Sequence, residues 1–385
     1  MRGIVSKPQG IEGARQLTAT ARRPSSLLRR LASRAACCLA LVSASGCYLV
    51  QAAGGQLEVM SRSRPIDAVL EDAEVPEPTR EQLRLLSEAR EFAAGQLGLP
   101  AGDSYRDYAE LDRPYAVWNL VAVPEFSLAP RRWCFPVAGC VSYLGYFAES
   151  DAEAAARKLR HQGFDVAVGG VAAYSTLGRL PDPVYSTMLR WRESRLVGTV
   201  FHELAHQRLY VKNDSAFNEA FASVVEEEGV RRWFTERGDE PALTDYEARL
   251  EREAEFTELL RRSRARLAAL YAEAGPAEET RVEKQREFGR LKFEYAQLRD
   301  RWNGYGGYDQ WFARPLNNAH LAAVATYHDC VPGLRRELES AGSLPGFYRR
   351  AEELASLPRA ERHARVCIGA GRPAGAVARP SAQRA

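Results

Sequence analysis

The stretch "TVFHELAHQRLY", residues 199–210, places His202, Glu203 and His206 in a His-Glu-x-x-His pattern. Positions four apart lie one above the other on a helix, so both imidazoles can reach a single ion. Apolar side chains recur at three- and four-residue spacing from position 193, which predicts a buried helix. Glu203 falls at the edge of the same face, where a general base would take a proton from metal-bound water. The alternative is a buried helix whose histidines are satisfied by hydrogen bonds.

A catalytic zinc site needs a third protein ligand and an open fourth position. The glycine and third histidine of the metzincin pattern do not follow this motif. Glu219 in "NEAFA" comes thirteen positions after His206, which allows one tight turn and a return alongside the first helix. Glu226 shares the face of Glu219 and competes for the role, but Glu219 lies nearer the helix start. We therefore predict one zinc ion per chain bound by His202, His206 and Glu219, with Glu226 accepting an imidazole N–H.

The N-terminal segment has the layout of a secretory signal. Eight basic residues and one acidic residue precede position 47, and an apolar run then leads to small residues and "ASGC". This ending resembles a lipobox, which makes Cys47 the predicted lipid-bearing first residue of the mature chain; a simple cleaved signal is the alternative. The formal net charge of +3 indicates no strong preference for nucleic acid.

Export would place the remaining cysteines in an oxidising compartment. Cys134 and Cys140 are close enough in sequence to close a small loop, and Cys330 and Cys367 form a candidate second pair. Buried free thiols are the alternative.

The rest of the chain alternates helical and strand patterns. "FDVAVGG" and "VAAYSTLG" predict two strands, and Asp182 before Pro183 predicts a helix start. Asp214 or Ser215 is the predicted cap of the helix that carries Glu219. Two long charged segments broken at "AGPAEE" predict an antiparallel helical hairpin, interpreted as a solvated arm without chemistry.

Several stretches together resemble a known family. They are "YLVQAAGGQLEVM" after the lipobox cysteine, "WCFPVAGCVSYLGYF", "AYSTLGRLPDPV", "FHELAHQRLY" with "NEAFA", and "PLNNAHLAAVATYHDCVPG". Over nearly all of the mature chain they are similar to the aminopeptidase lipoproteins of Gram-negative bacteria, within the glutamate-zincin class. The resemblance implies metal ligands at His202, His206 and Glu219, with Glu203 as base. It also implies that the strand in "GVAAYSTLG" forms the edge of a peptide-binding cleft.

The expected fold class is α+β, a zincin-like metallopeptidase with a mixed sheet, an active-site helix and a long antiparallel helical hairpin insertion. The expected parts are a lipoprotein signal (1–46), a zincin-like catalytic region (47–240), a hairpin arm (241–302), a C-terminal helical part of the catalytic domain (303–369) and a disordered tail (370–385).

The expected function is zinc-dependent peptide hydrolysis on the periplasmic side of a membrane, with lipidated Cys47 as the anchor. An oxyanion donor is also required, and zincins often use Tyr or His. Tyr327 is the first choice, ahead of Tyr210, Tyr305, Tyr308 and His320. No motif for gripping a free N-terminal amine is recognisable, so the aminopeptidase label comes from the resemblance and endopeptidase activity stays open. The rival from another class is a non-catalytic envelope scaffold, in which the hairpin binds a protein partner.

Overall fold

The computed structural model describes residues 48–100, 102–135, 139–176, 180–273, 275–322 and 329–367. The chain divides into two compact units, residues 1–51 and 52–385. Of the first unit only residues 48–51 are described, and they are helical. The predicted signal segment and tail therefore lie outside the described residues, and the fold below is that of the second unit.

The described part of the second unit is mixed α+β and mostly helical. In chain order its elements are α1 (52–62), β1 (Ser63–Pro65), α2 (Ile66–Glu71), α3 (Glu77–Gly95), β2 (Asp107–Ala109), β3 (Val117–Pro124), β4 (Trp133–Phe135), β5 (Gly139–Val141), β6 (Leu144–Tyr146), α4 (Glu149–His161), β7 (Phe164–Val171), β8 (Val184–Tyr185), α5 (Glu193–Arg208), α6 (Ser215–Arg237), α7 (Glu240–Ala272), α8 (Ala277–Arg301), α9 (Asp309–Phe312), α10 (318–322), α11 (Val331–Ala341), α12 (Leu344–Ser356) and α13 (Arg359–Val366).

The strands of the described residues form three small sheets rather than the one mixed sheet that we expected. One has the order β1-β2-β8, with an antiparallel and a parallel pair; the second has the antiparallel order β6-β3-β7, and the third is the pair β4-β5. Helix α4 packs on β3 and β7. Strand β7 pairs with β3 from Phe164 to Val171 and is an edge strand of its sheet.

Helices α5 and α6 are at the centre of the main hydrophobic core. Leu196, Val197, Val200, Phe201 and Leu204 of α5 are fully buried, as their spacing predicts. Helix α6 begins after the short turn 209–214 and runs antiparallel to α5. As predicted, Asp214 caps α6, accepting a hydrogen bond from the Phe217 N–H, while the Asn218 amide pairs with both backbone polar groups of Val211 and fixes the turn.

Helices α7 and α8 pack against each other as an antiparallel pair with a hydrophobic core of their own. Arg266 of α7 meets Glu287 of α8 at 2.7 Å. The pair is also joined to the β3–β7 sheet, because the buried Lys284 ammonium lies 2.6 Å from Asp165 and donates to the Glu125 carbonyl. Its position is thus fixed by a charged contact that has little exposure to solvent.

The C-terminal helices support the start of α6. Arg362 of α13 and Asp214 are 3% and 1% exposed, and their nearest charged atoms are 2.6 Å apart. Arg362 also donates to the carbonyls of Leu354, Ala355 and Leu357. A disulfide joins Cys330 to Cys367, and a second joins Cys134 to Cys140, so both predicted pairs are confirmed.

Two local predictions around β8 are wrong. The run "VAAYSTLG" forms no strand beyond Val171 in its described part, residues 171–176. Asp182 does not start a helix, since β8 follows it and α5 begins only at Glu193. The Asp182 carboxylate instead accepts hydrogen bonds from the Ser175 hydroxyl and the Thr176 N–H, which ties this loop to itself. Hydrogen bonds within this loop have displaced the helix-capping preference of Asp182.

Within the described residues, no helix combines the length and apolar character that crossing a membrane requires.

The buried Arg362–Asp214 pair gives a stability prediction. Arg362→Ala removes the buried guanidinium that pairs with Asp214 and donates to three carbonyls, while His363 still contacts the carboxylate, so we expect the free energy of unfolding to fall by up to about 3–5 kcal/mol. The control is Arg359→Ala, because Arg359 faces the same carboxylate at 3.8 Å but is 62% exposed. Its effect should stay below about 1 kcal/mol. Urea unfolding with the disulfides intact measures both, and equal losses would contradict the role of burial.

Candidate metal centre and cleft

The antiparallel return of α6 along α5 brings the three predicted ligands together. Nε2 of His202 lies 3.4 Å from Oε2 of Glu219, and Nε2 of His206 lies 3.7 Å from the same oxygen. One donor atom from each of the three residues falls within 4.8 Å of the others. Sequence spacing had predicted this convergence of His202, His206 and Glu219.

The distances fit a zinc ion. Ligands bound tetrahedrally at about 2.0–2.2 Å lie roughly 3.4 Å from one another, close to the two separations seen here. Two imidazoles and one carboxylate also form a donor set that catalytic zinc sites use. The other geometric cluster among the described residues, Cys330, His363 and Cys367, has both sulfurs in a disulfide and offers no thiolates.

Glu226 occupies the position expected of a group that orients a metal ligand. Its Oε2 lies 3.0 Å from Nδ1 of His202, which leaves Nε2 of that ring facing Glu219. Gly198, one turn before His202, makes room for it, because a Cβ there would lie 2.9 Å from Oε1 of Glu226. Nδ1 of the buried His206 has no such partner among the described residues. The two histidines are therefore held differently.

The electrostatics of the cluster favour a charged His202 beside an ionised Glu219 carboxylate. Burial lowers the pKa of His202, but its hydrogen bonds with Glu219 and Glu226 outweigh burial and raise this pKa well above 6.5. Burial raises the pKa of Glu219, and the two histidines overcome it and lower the pKa to about 2. A metal cation that replaced the proton on His202 would be attracted by the same carboxylates, Glu219 and Glu226.

Glu203 lies beside this centre with a different environment. Burial raises its pKa, the nearby histidines lower it, and the charge of Glu219 raises it, with a net upward shift. The Ser175 hydroxyl, which is bound to Asp182, also hydrogen-bonds Glu203. A carboxylate with a raised pKa is better suited to accept a proton and then return it.

A cleft of about 660 Å³ opens over His202 and Glu203. One wall is the end of β7 and the residues that follow it, Gly170 to Ala173, which places the start of the predicted "GVAAYSTLG" segment at the cleft. The remaining lining residues are Tyr115, Thr187, Arg190, Trp191, Arg195, Thr199 and Glu226. Tyr115 was not predicted as a site residue, because the sequence around a tyrosine in a turn before a strand does not indicate whether its side chain faces a cleft.

The oxyanion-donor candidates are not at this cleft in the part of the chain that the structure describes. Tyr210 is exposed, and Tyr305 contacts Trp302 and Arg252. Tyr308 stacks on Phe256 of α7. His320 hydrogen-bonds Asn317. The first choice, Tyr327, lies outside the described residues and stays a prediction.

A second cavity of about 640 Å³ adjoins the cleft and shares Arg195, Thr199 and Glu226 with it. Its other side is formed largely by α7, including Tyr246, Arg249 and Glu253. The charge pattern predicts a solvated arm without chemistry, whereas one face of α7 is a wall of the cavity beside the candidate metal centre. The charge pattern of α7 did not distinguish this face from the solvated one.

The protein is thus mostly helical α+β, with a two-histidine, one-carboxylate cluster that borders a cleft through His202. The chain belongs to the family described as "Putative aminopeptidase", whose family model matches residues 47–366. A search of curated proteins and a search of solved structures each found no match. The matched range contains every described residue of the cluster and the cleft, and the family description suggests a peptidase.

The raised pKa of His202 predicts that zinc binding is coupled to proton release. Because the pKa of His202 is raised and a bound ion requires this imidazole to be neutral, zinc binding should release a proton from His202 at neutral pH. The affinity for zinc should rise by up to about tenfold per pH unit until the pH passes the raised pKa of His202. Zinc titration in weak buffer with a pH indicator measures the release; Glu228→Gln, outside the cleft, should leave it unchanged. Zinc binding without proton release would contradict the charged state of His202.

Proposed function

We propose that this protein is a zinc-dependent peptidase, an aminopeptidase of zincin-like fold, with one zinc ion held by His202, His206 and Glu219. The observation that carries the proposal is the convergence of these three donors, one of which, His202, lines an open cleft together with Glu203. Membership of the family supports peptidase activity, and the donor set supports the metal-dependent form of it.

Each residue of the centre has a part in the proposed reaction. Zinc, when bound, supplies the Lewis acidity that activates water and polarises a peptide carbonyl. Glu203 accepts the proton that water loses on attack and passes it to the departing amine nitrogen. Glu226 holds Nδ1–H of His202, which keeps Nε2 of that ring free as a ligand. Tyr327 remains the proposed oxyanion donor.

The substrate would lie along the edge of β7. This strand has backbone groups on the side away from β3, and an extended peptide can add to such an edge through main-chain hydrogen bonds. Gly170 to Ala173 then bring the peptide past His202 and Glu203. This mode positions the scissile bond without reading the sequence of the substrate.

A location on the periplasmic side of a membrane is part of the proposal, with lipidated Cys47 as the anchor. The two disulfides support an oxidising compartment. Cys47 itself lies outside the described residues.

The rival function is a non-catalytic envelope scaffold that binds a partner through α7 and α8. A scaffold has no need of Glu203, whereas the peptidase depends on it. The orientation of Glu203 beside the donor cluster, with its pKa raised, favours the enzyme.

Glu203→Gln separates the two functions, since it keeps the shape of the side chain and loses the base. We expect this variant to fold, retain one zinc ion, and lose on the order of a hundredfold or more in peptide hydrolysis. The matched control is Glu228→Gln on α6, whose carboxylate pairs with Arg232 away from the cleft. Metal analysis and aminoacyl chromogenic substrates, beside N-blocked peptides, supply the measurements.

Cleavage of substrates with a free amine only would support the aminopeptidase form, and cleavage of blocked peptides would establish an endopeptidase. Equal activity of wild type and Glu203→Gln would contradict the hydrolase function. The same conclusion would follow if both proteins were inactive on peptides while Glu203→Gln still supported the function of the protein in cells.

A further inference from the structure

One cationic side chain at the cleft has no role in the proposed reaction. Arg195 lines both the cleft and the adjoining cavity, so it lies at their junction. It precedes Thr199 by four positions and His202 by seven, which places the three on one face of α5. The guanidinium therefore lies on the path of any chain that extends from the metal centre toward α7.

The guanidinium is oriented by an aromatic ring and not by a carboxylate. Its central carbon lies 4.2 Å from the centroid of the Trp191 ring. A guanidinium stacked on a ring uses its flat face and leaves the N–H groups at its edge free to donate. Among the described residues, no carboxylate oxygen lies within 4.0 Å of Arg195; by contrast Arg192, three residues earlier, pairs with Asp245 at 3.2 Å.

Nearby groups leave Arg195 available for a ligand. Glu226 attracts it from α6 and Glu253 from α7, while Arg249 repels it. Glu226 is already engaged with Nδ1 of His202. Arg195 remains accessible to solvent in the cavity although protein surrounds it on several sides. The other arginine of the cleft, Arg190, donates to the Pro114 carbonyl and is held away from this role.

We propose that Arg195 determines substrate specificity by binding a carboxylate of the peptide substrate, about three residues from the scissile bond. Seven residues of helix separate Arg195 from His202 by about 10.5 Å along the axis of α5. An extended peptide advances about 3.3 Å per residue, which gives the spacing of about three residues. The inference rests on the proposed peptidase function, because it concerns the same cleft.

Two sources supply this carboxylate: the free C-terminus of a short peptide, or an Asp or Glu side chain in a longer one. In either case two N–H groups of the guanidinium would donate to the two oxygens, a geometry that lysine does not reproduce. An enzyme with this residue would act on short peptides or on acidic sequences in preference to neutral ones.

Four zinc-loaded proteins test the proposal: wild type, Arg195→Gln, Arg195→Lys and Arg192→Gln. The substrates are a neutral tetrapeptide with a free C-terminal carboxylate, the same peptide amidated, and a longer amidated peptide with Glu or Gln three residues from the scissile bond. We expect wild type to prefer one carboxylate-bearing peptide over its amide partner by ten- to a hundredfold in kcat/KM, mainly through KM.

Arg195→Gln should reduce this preference to about one, Arg195→Lys should restore only part of it, and Arg192→Gln should retain it. The pair that responds identifies the source of the carboxylate. An equal preference in wild type and Arg195→Gln would overturn the role of Arg195 while leaving the peptidase function intact.

Binding separates this inference from the function on which it rests. Fluorescent forms of the four peptides are titrated onto Glu203→Gln, with and without Arg195→Gln, and Kd is read from polarisation. Loss of the carboxylate preference with Arg195→Gln supports the proposed role of Arg195 even if wild type cleaves no peptide. Lack of cleavage by wild type would count only against the peptidase function. Equal Kd for carboxylate and amide peptides on Glu203→Gln would overturn it.

Discussion

The close approach of α5 to α6 is the contact on which the candidate site depends. Gly198 of α5 faces Glu226 and Val230, and Gly229 of α6 faces Phe201 and Leu97, where a Cβ would lie 2.8 Å from a carbon of each. Because both glycines lack a side chain, the helices pack closely enough for Glu219 to meet His202 and His206. The tight turn 209–214 sets the register, so the return along α5 brings the carboxylate level with the imidazoles.

Distant segments hold this pair of helices and shape what surrounds it. The start of α6 is tied to α13 by the buried Asp214–Arg362 pair, and the Cys330–Cys367 disulfide joins α13 to the start of α11. On α6, Glu227 accepts two hydrogen bonds from Arg335 of α11. From the other side, α7 closes the cavity next to Arg195. The cluster therefore borders a cleft on one side and has the cationic Arg195 at the junction with the cavity.

The cluster of His202, His206 and Glu219 was accessible from the sequence because it is built from local spacing. His202 and His206 lie four apart on one helix, and Glu219 is one turn and one helix start away, so helix geometry and the Asp214 cap suffice to place them. The contact of Glu226 with His202 follows from the same register. The two disulfides were also anticipated, from cysteine positions and the expected compartment.

Features set by loop conformation or by contacts between remote segments were missed. The sequence predicts a helix cap at Asp182, but its carboxylate accepts hydrogen bonds from Ser175 and Thr176 within the same loop. "VAAYSTLG" has strand composition, yet pairing with β3 ends at Val171 and the chain then turns along the cleft. Tyr115, Arg195 and the inner face of α7 carry no local mark of their position, because an arginine over a tryptophan resembles a surface residue until the cavity around it is known.

We propose that His202, His206 and Glu219 bind one zinc ion beside a Glu203 that does not coordinate it. Crystals of the zinc-loaded protein, measured on both sides of the zinc absorption edge, test it most directly. The expected result is one anomalous peak about 2.0–2.2 Å from Nε2 of both histidines and from the Glu219 carboxylate, with Glu203 and Glu226 outside coordination distance. A peak bound by Glu226 in place of Glu219, or no peak at this cluster with stoichiometric zinc present, would contradict the account.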